Sequence, residues 1–409
     1  MIRGPLVVVG ASLAGLRAVE SARQAGFDGP VTLIGAEPYL PYDRPPLSKA
    51  FLDPGAGDVP PVFPEAATLC EDPRTTLRLG APATALDPDA RTVTVGGDTI
   101  EYGALVVATG ARARTLPGAH RLAGVHSLRT VEDALAIRRL LDCGARTVVV
   151  GGGFIGAEVA SAARRRGVPV TVVEAQPVPM ARAIGPLMGR ICAGLHAAHG
   201  TDLRCGVSVT GFEGGTRIRR VLLSDGSELD ADLVVVGAGV TPATDWLAGS
   251  GMPLDDGVLC DETLATGLPD VYAAGDVARW RHPGFGRRLR LEHWTNAAEQ
   301  GAIAGRNAVG AGPAEVCETV PYFWSDWYGQ RLQFVGVPDS SHVEVVGDPG
   351  GRRFAAFYRE GDRLAGALVL DRRPLVRVLR KLIRERAPWS AAMDLAAGLG
   401  ARTSIDRAA

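Results

Sequence analysis

The chain has 409 residues, and the usual domain size of roughly 100 to 200 residues therefore predicts two or three domains. Hydrophobic residues make up 46% and charged residues 22%, which excludes a disordered chain, and the 52 glycines are typical of an α/β protein with many strand-to-helix turns. The formal net charge is -1, so no overall field favours nucleic acid or an anionic membrane, and neither is expected as a partner.

The N-terminal residues enter an apolar strand at 6–9, which leaves no room for a secretory leader, so we expect a cytoplasmic location. No apolar run reaches the roughly 20 residues that a membrane span needs. The six cysteines stand at positions 70, 143, 192, 205, 260 and 317. None lies within four residues of another, so the CxxC motifs of redox and metal sites are absent and no metal site is expected.

Short runs rich in Val and Ile alternate along most of the chain with Ala-rich stretches of helical spacing. These runs lie at 6–9, 31–34, 105–107, 147–150, 170–173, 233–236 and 271–273. The alternation predicts parallel sheets with crossover helices. Segments 4–37 and 146–174 share one plan, in which a strand, a Gly-rich turn, an Ala-rich helix and a second strand are followed by a glutamate.

The first Gly-rich turn follows strand 6–9 and opens a helix that we expect to run to about Ala25. Its residues are Gly10, Ala11, Ser12, Leu13, Ala14 and Gly15. The glycines permit a tight turn and close helix packing, and the helix N-terminus offers amides and partial positive charge to a pyrophosphate. Ser12 departs from the usual middle glycine, but its small side chain still lets a phosphate approach. Glu37 is placed to accept hydrogen bonds from ribose hydroxyls; the alternative is an ordinary turn with a solvated glutamate.

The second Gly-rich turn fits the dinucleotide pattern in full. Its residues are Gly151, Gly152, Gly153, Phe154, Ile155 and Gly156. Glu174 closes this unit, and a carboxylate there binds a ribose 2′-hydroxyl and repels a 2′-phosphate, which favours NAD over NADP. The basic run 164–166 argues against this preference, although we interpret it as capping the helix C-terminus. Two such turns predict a flavin and a nicotinamide dinucleotide; the alternative is a duplicated domain that has lost one ligand.

The character of the chain changes after about residue 319, where aromatic residues cluster and alternating segments follow at 333–337 and 353–358. This pattern predicts a separate α+β domain built on an antiparallel sheet. The stretch 374–385 has helical spacing and is strongly basic, and the tail beyond Ala401 is expected to fray.

A long motif between the two turns, residues 38–49, reads PYLPYDRPPLSK, and here the chain resembles the bacterial ferredoxin reductases of the putidaredoxin reductase and rhodocoxin reductase type. The similarity extends over nearly the whole chain. It includes Ala108-Thr109-Gly110, Leu128-Arg129-Thr130, Gly237-Ala238-Gly239, Ala274-Gly275-Asp276-Val277, Glu292-His293-Trp294-Thr295-Asn296 and Phe323-Trp324-Ser325-Asp326.

The resemblance implies a glutathione-reductase-like α/β fold with two Rossmann-like dinucleotide-binding domains and a C-terminal α+β domain. The implied parts are an FAD-binding domain of residues 1–112 and 243–318, an NAD-binding domain of residues 113–242 and a C-terminal domain of residues 319–409 that covers the flavin.

Carried over residue by residue, the resemblance implies FAD contacts in several parts of the chain. Ala14 and its neighbours would meet the pyrophosphate, Glu37 the adenosine ribose and the backbone of Ala83 the adenine. Phosphate and ribityl groups would be held by Arg44, Arg129 and Asp276, and Trp294 would lie by the flavin ring. Further implied contacts are Thr109, Gly110, Gly275, Glu292 and His293 for FAD, and Gly239 for NAD.

Relatives place a lysine and a glutamate beside the flavin N5 edge and the nicotinamide, and the matching residues here are Lys49 and Glu158. The cation would stabilise the reduced flavin, and the carboxylate would neutralise the cation and orient the incoming ring. The ordinary alternative for Glu158 is a helix residue of the NAD unit.

The function implied by the resemblance is that of an NADH-dependent flavoprotein. FAD would take hydride from NADH, and single electrons would pass to an acidic [2Fe-2S] ferredoxin that serves a cytochrome P450 or other oxygenase. A disulfide reductase on this scaffold needs a cysteine pair after Glu37, and no cysteine occurs there before Cys70. Rubredoxin, a quinone-like acceptor, and an NADH-sensing protein resembling apoptosis-inducing factor remain as alternatives.

An acidic partner requires a basic docking face, and the sequence offers two candidates. The first holds Arg279, Arg281, Arg287, Arg288 and Arg290. The second holds Arg372, Arg373, Arg377, Arg380, Lys381, Arg384 and Arg386. A solvated helix face is the alternative interpretation of the second run.

Overall fold

The computed structural model describes residues 2–338, 342–350, 353–399 and 402–406. The chain forms two compact units. The first unit consists of Met1–Asp43, Pro61–Arg112 and Val240–Pro321. The second unit consists of Arg44–Pro60, Ala113–Gly239 and Tyr322–Ala409.

The described residues form eight α-helices and 27 strands. The helices are α1 (Leu13–Gln24), α2 (Pro64–Glu71), α3 (Val131–Asp142), α4 (Phe154–Arg165), α5 (Ala181–Ala198), α6 (Trp294–Val309), α7 (Arg373–Arg384) and α8 (Trp389–Ala397). The strands are β1 (Leu6–Val9), β2 (Val31–Ile34), β3 (Thr75–Arg78), β4 (Ala83–Asp87), β5 (Thr92–Val95), β6 (Asp98–Glu101), β7 (Ala104–Val107), β8 (Ala111–Ala113), β9 (Val125–Ser127), β10 (Thr147–Val150), β11 (Val170–Glu174), β12 (Asp202–Cys205), β13 (Val209–Gly214), β14 (Ile218–Leu223), β15 (Glu228–Asp230), β16 (Leu233–Val236), β17 (Val240–Pro242), β18 (Val258–Cys260), β19 (Val271–Ala273), β20 (Ala278–His282), β21 (Arg287–Leu289), β22 (Tyr322–Trp327), β23 (Gln330–Gly336), β24 (His342–Asp348), β25 (Arg353–Glu360), β26 (Arg363–Leu370) and β27 (Arg402–Asp406).

The first unit is built on a five-stranded parallel sheet of order β19-β7-β1-β2-β3. Every residue of the central strand β1 is buried, as expected for a parallel strand covered on both faces. Helices α1 and α6 pack with their backbones in close contact, because a Cβ on Gly301 would lie 2.2 Å from the carbonyl oxygen of Ala14. This packing fixes the start of α1 against the sheet.

The second unit repeats the plan with a parallel sheet of order β12-β11-β10-β16-β9. It also contains a six-stranded antiparallel sheet of order β22-β23-β26-β25-β24-β27. Ile184 and Met188 of α5 share one buried cluster with Phe334, Phe354 and Tyr358 of the antiparallel sheet. Segments 113–239 and 322–409 therefore have a common core, and their assignment to separate NAD-binding and C-terminal domains stays a prediction.

The predicted α/β fold class is confirmed, and each predicted apolar run lies in a strand. The expectation that the tail beyond Ala401 frays is wrong for residues 402–406, which form β27 and pair antiparallel with β24. The pairing covers backbone groups of β24 that would otherwise stand at a sheet edge. The rest of that tail, residues 407–409, lies outside the described residues.

Among the residues that the structure describes, no helix combines the length and apolar character needed to cross a bilayer.

Candidate functional site

The first Gly-rich turn, residues 10–15, joins β1 to α1 and requires glycine at both ends. Gly10 has φ +123°, and a Cβ there would lie 2.1 Å from the carbonyl oxygen of Ala108. A Cβ on Gly15 would lie 1.9 Å from the carbonyl oxygen of Gly10. Because these contacts are with backbone atoms, no side-chain movement can relieve them.

The second turn, residues 151–156, has the same geometry in the second unit. Gly151 has φ +104°, and a Cβ there would lie 2.4 Å from the carbonyl oxygen of Gly237. A Cβ on Gly156 would lie 2.1 Å from the carbonyl oxygen of Gly151. The repeat seen in the sequence is therefore a repeat of backbone geometry.

The middle position differs from the ends in both turns. Ser12 and Gly153 have extended backbone, with φ of -124° and -80°, so neither position needs glycine for its conformation. No heavy atom of the described residues outside Gly153 and its chain neighbours lies within 4 Å of a Cβ built on Gly153. A glycine there keeps space open beside the start of α4, where a phosphate fits.

The helices that follow the two turns begin without a side-chain cap and without an acidic residue in the first turn. Helix α3, in contrast, begins with a capping box between Thr130 and Asp133. The amides at the starts of α1 and α4 lack intrahelical acceptors, and the partial positive charge there favours an anion. Both turns therefore fit the pyrophosphate of a dinucleotide.

Each of the two predicted ribose-binding glutamates is held by hydrogen bonds. Glu174 accepts from the backbone N–H of Gly152 at 2.7 Å and from that of Gln176 at 2.7 Å, which fixes its carboxylate against the second turn. Glu37 accepts from the hydroxyl of Tyr42 at 2.6 Å. Both carboxylates are thus oriented in advance.

The basic run 164–166 ties the end of α4 to its surroundings, as expected. Arg164 donates to the carbonyl oxygen of Val168 at 3.3 Å and to that of His199 at 3.0 Å. Arg166 pairs with Asp142 at 2.8 Å. These contacts explain the arginines at 164 and 166 by bonds within the protein, so they need not serve to bind the 2′-phosphate of NADP.

Several residues predicted to contact FAD lie near the first turn or near one another in the first unit. The backbone N–H of Gly275 donates to Gln300 at 2.9 Å, and a Cβ on Gly275 would lie 3.1 Å from that of Ala14. The indole of Trp294 donates to Asp43 at 2.7 Å. Burial lowers the pKa of His293 to about 4, so its ring is neutral near pH 7.

Lys49 and Glu158, the predicted reactive pair, lie together in the second unit, with 2.9 Å between Nζ and Oε2. The Glu158 side chain is 3% exposed and that of Lys49 is 19% exposed. Hydroxyls of Ser48 and Ser325 also donate to Glu158, as does the backbone N–H of Asp326 at 3.2 Å. The buried carboxylate is thus surrounded by donors, as a buried charge requires.

Residues 4–301 match the family model "Pyridine nucleotide-disulphide oxidoreductase", and residues 322–399 match the model "Reductase C-terminal". The chain is a pyridine nucleotide-disulphide oxidoreductase family member. The family expected from the sequence motifs is confirmed.

Several relatives cover nearly the whole length of this family member. Rhodocoxin reductase of Rhodococcus erythropolis is 38% identical over 390 residues, which span 94% of this chain and 90% of the relative. Putidaredoxin reductase CamA of Pseudomonas putida is 33% identical over 392 residues, which span 94% of this chain and 92% of the relative. A solved ferredoxin reductase for the CYP199A2 system of Rhodopseudomonas palustris has a TM-score of 0.89 at 34% identity, covering 94% of this chain and 96% of that chain. The covalent putidaredoxin reductase–putidaredoxin complex has a TM-score of 0.89 at 33% identity, covering 95% of this chain and 94% of the solved one.

The predicted site residues of this family member fall in both units. Those in the first unit are Gly10, Ser12, Leu13, Ala14, Gly15, Glu37, Ala83, Thr109, Gly110, Gly275, Asp276, Glu292, His293 and Trp294. Those in the second unit are Arg44, Lys49, Arg129, Gly151, Gly153, Phe154, Ile155, Gly156, Glu158, Glu174 and Gly239. Within the units, the structure brings Arg44 against the carbonyl oxygen of Arg129 at 2.8 Å, and Glu292 against Arg290 at 2.8 Å. The cofactor contacts of all these residues stay a prediction.

The residues that hold Glu158 were not predicted from the sequence. Ser48 and Ser325 lie inside motifs that carried the resemblance, but nothing in their spacing pointed to a carboxylate. The alternation along β22 does place Ser325 on the buried face of the sheet. A buried serine on a strand signals a hydrogen-bond partner without identifying it.

Proposed function

We propose that this protein is an FAD-containing NADH:ferredoxin reductase that supplies electrons to a cytochrome P450 or other oxygenase. The observation that carries the proposal is the presence of two geometrically matched phosphate-binding turns, one in each unit, in a chain of this family. The names of two relatives, the ferredoxin--NAD(+) reductase component of an anthranilate 1,2-dioxygenase system and the ferredoxin reductase for the CYP199A2 system, support a ferredoxin as acceptor. The same names favour this function over rubredoxin or quinone reduction.

FAD is assigned to the first turn and NADH to the second. FAD, when bound, accepts a hydride and passes electrons on singly. The amides that open α1 would bind the FAD pyrophosphate, and Glu37 the adenosine ribose. The amides that open α4 would bind the NADH pyrophosphate, and Glu174 would receive the ribose 2′-hydroxyl. Lys49 and Glu158 would orient the reacting rings and balance the charge that develops during hydride transfer.

The primary test is an anaerobic titration of the purified flavoprotein with NADH and, separately, with NADPH. We expect prompt bleaching of the flavin absorbance by NADH and slow bleaching by NADPH. Cytochrome c reduction by NADH should then depend on added [2Fe-2S] ferredoxin. Purification of the protein without bound flavin would disprove the proposal. Cytochrome c reduction that does not depend on ferredoxin, together with a long-lived complex of the reduced flavoprotein with NAD, would favour an NADH-sensing role.

Replacing Glu174 with glutamine is expected to reduce the preference for NADH over NADPH, measured as the ratio of kcat/KM values, about tenfold. Glutamine keeps an acceptor for the Gly152 N–H but removes the charge that repels a 2′-phosphate. Glu213→Gln, which removes an exposed charge from the same unit, is the matched control and should leave the ratio unchanged. An unchanged ratio in Glu174→Gln would show that another feature selects the coenzyme.

The basic face that receives the acidic ferredoxin is assigned to α7 rather than to residues 279–290. Within residues 279–290, Arg279 pairs with Asp255 at 2.5 Å, and Arg288 donates to the carbonyl oxygen of Cys260 at 2.7 Å. On α7, the exposed side chains of Arg377 and Arg384 make no hydrogen bond or ion pair with the described residues. Their charges are therefore available to a partner.

Reversing the charge at both Arg377 and Arg384, by substitution with glutamate, is expected to slow ferredoxin reduction about tenfold at low ionic strength. Reduction of ferricyanide by NADH should stay unchanged, because it needs no protein docking. The control carries Arg281→Glu and Arg287→Glu, an equal charge change in the other basic segment. A larger effect in the control would move the docking face to residues 279–290, and an equal loss of ferricyanide reduction would rule out a docking effect.

A cytoplasmic location is also part of the proposal. All six cysteines are free thiols, as is usual for proteins of a reducing compartment. Fractionation of the source cells, with the protein detected by antibody, would test it.

A further inference from the structure

The Glu158 carboxylate accepts hydrogen bonds from donors in two parts of the chain. Its Oε2 accepts from Lys49 at 2.9 Å and from the hydroxyl of Ser48. Its Oε1 accepts from the hydroxyl of Ser325 and from the backbone N–H of Asp326 at 3.2 Å. A carboxylate offers about four lone-pair positions, so half of its acceptor capacity is satisfied by β22 of the antiparallel sheet.

The Ser325 hydroxyl has only one orientation available. The indole Nε1 of Trp327 lies 2.7 Å from Ser325 Oγ, and an indole N–H can only donate. Ser325 Oγ is therefore the acceptor in that bond, and its single proton points to Glu158. Both Ser325 and Trp327 are buried, so water does not compete for either bond.

The hairpin that carries Ser325 is anchored at its tip by Tyr328. Tyr328 and Gly329 connect β22 to β23 with φ of +50° and +82°, and the left-handed conformation is strained for a bulky residue such as tyrosine. The Tyr328 N–H donates to Ser161 Oγ at 2.8 Å. Its hydroxyl lies 2.8 Å from His196 Nδ1 and 2.9 Å from Thr201 Oγ1.

This anchor carries no charge near neutral pH. Burial lowers the pKa of His196 to about 4 and raises that of Tyr328 to about 12. The ring of His199 also stacks on Tyr328, with 4.4 Å between centroids. The hydrogen bonds that the Tyr328 hydroxyl makes with His196 and Thr201 are therefore bonds between uncharged groups near pH 7.

One face of α4 meets the hairpin at two points, because Ser161 follows Glu158 by three residues and lies on the same side of the helix. Tyr328 is bound to Ser161, and Ser325 is bound to Glu158. We propose that Ser325 and Tyr328 are positioning residues for the reactive pair: the tip contact fixes the hairpin, and the hairpin holds Glu158 in one orientation against Lys49. The inference rests on the proposed function, in which this pair meets the nicotinamide, and gives the antiparallel sheet a part in NADH oxidation.

Kinetics with NADH and ferricyanide test the positioning role. In Ser325→Ala we expect kcat to fall about tenfold, which corresponds to the loss of one hydrogen bond to a charged group. The KM for NADH should change less than about twofold. The KM is preserved because the second turn supplies the binding. Tyr328→Phe keeps the ring stacking but loses the hydroxyl contacts, and should lower kcat in the same way but less. Ser250→Ala and Tyr322→Phe are the matched controls, which remove a buried serine hydroxyl of the first unit and a tyrosine hydroxyl of β22.

The indole N–H of Trp327 gives a readout that is independent of turnover. In an NMR spectrum of protein labelled with 15N at the tryptophan indoles, the resonance that disappears in Trp327→Phe is assigned to the Trp327 indole N–H. We expect Glu158→Gln to shift this resonance in the wild-type background and to leave it unmoved when Ser325→Ala is also present. A shift of equal size in both backgrounds would overturn the inference.

The outcomes separate this inference from the proposed function. If the unaltered protein fails to oxidise NADH, the proposed function fails. If it oxidises NADH normally while Ser325→Ala and Tyr328→Phe keep kcat within twofold, only the positioning role fails. If Ser325→Ala does not fold, Tyr328→Phe decides the matter by the same kinetic comparison.

Discussion

Glu158→Gln is expected to lower the free energy of unfolding by about 3 kcal/mol, and Lys49→Met by only about 1 kcal/mol. The two residues form one ion pair, but their surroundings differ. Glu158 is 3% exposed, and glutamine would present N–H groups to donors that need an acceptor. In Lys49→Met the carboxylate keeps the hydrogen bonds from Ser48, Ser325 and Asp326.

Urea unfolding of the flavin-loaded proteins measures this difference. Glu65→Gln serves as the control, because Glu65 pairs with Arg17 at 3.0 Å on the surface and its loss should cost less than about 0.5 kcal/mol. We also expect kcat/KM for NADH to fall about a hundredfold in Glu158→Gln, since the reacting ring loses its orienting group. Equal losses of stability in Lys49→Met and Glu158→Gln would show that the hydrogen bonds from Ser48, Ser325 and Asp326 do not stabilise the buried carboxylate.

The local parts of the fold were predictable from the sequence because short-range physics determines them. A parallel strand buried on both faces must be largely apolar, so β1 has the sequence LVVV and β10 the sequence TVVV. Gly10 and Gly151 are required by turns within the same strand-turn-helix segment. The phosphate-binding turns were therefore visible before any tertiary contact was known.

The donor set around Glu158 was not predictable in this way. Ser48 and Ser325 lie 110 and 167 positions from Glu158 along the chain, and neither has a local signature that distinguishes it from other serines. Lys49, 109 positions away, was found only through the family resemblance. Contacts of this range depend on the packing of the whole second unit, which no spacing rule encodes.

The strand β27 shows the same limit for secondary structure. Its sequence is RTSID, and the tail that contains it was expected to fray because it is a chain terminus. What decides its conformation is the neighbouring strand β24, whose backbone groups it satisfies from His342 to Val346. A sheet edge can thus order a segment that has little tendency to form a strand alone.

Gly153→Val is expected to raise the KM for NADH about a hundredfold while leaving the free energy of unfolding within about 1 kcal/mol of the unaltered protein. The backbone at Gly153 is extended, with φ of -80°, and a Cβ there meets open space, so valine fits the folded chain. The added side chain would occupy the space in which the pyrophosphate approaches α4. A ligand, and not the fold, would then be the reason for glycine at this position.

Two matched variants serve as controls for the Gly153→Val prediction. Gly156→Ala places a Cβ 2.1 Å from the carbonyl oxygen of Gly151 and should destabilise the protein by several kcal/mol, whether or not a coenzyme binds. Ser12→Gly changes the equivalent middle position of the first turn and should leave the KM for NADH unchanged. If Gly153→Val lost stability and kept its KM, the middle glycine would be structural. If Ser12→Gly altered the KM for NADH instead, the assignment of FAD to the first turn and NADH to the second would have to be reversed, because each middle position is expected to affect only the ligand bound at its own turn.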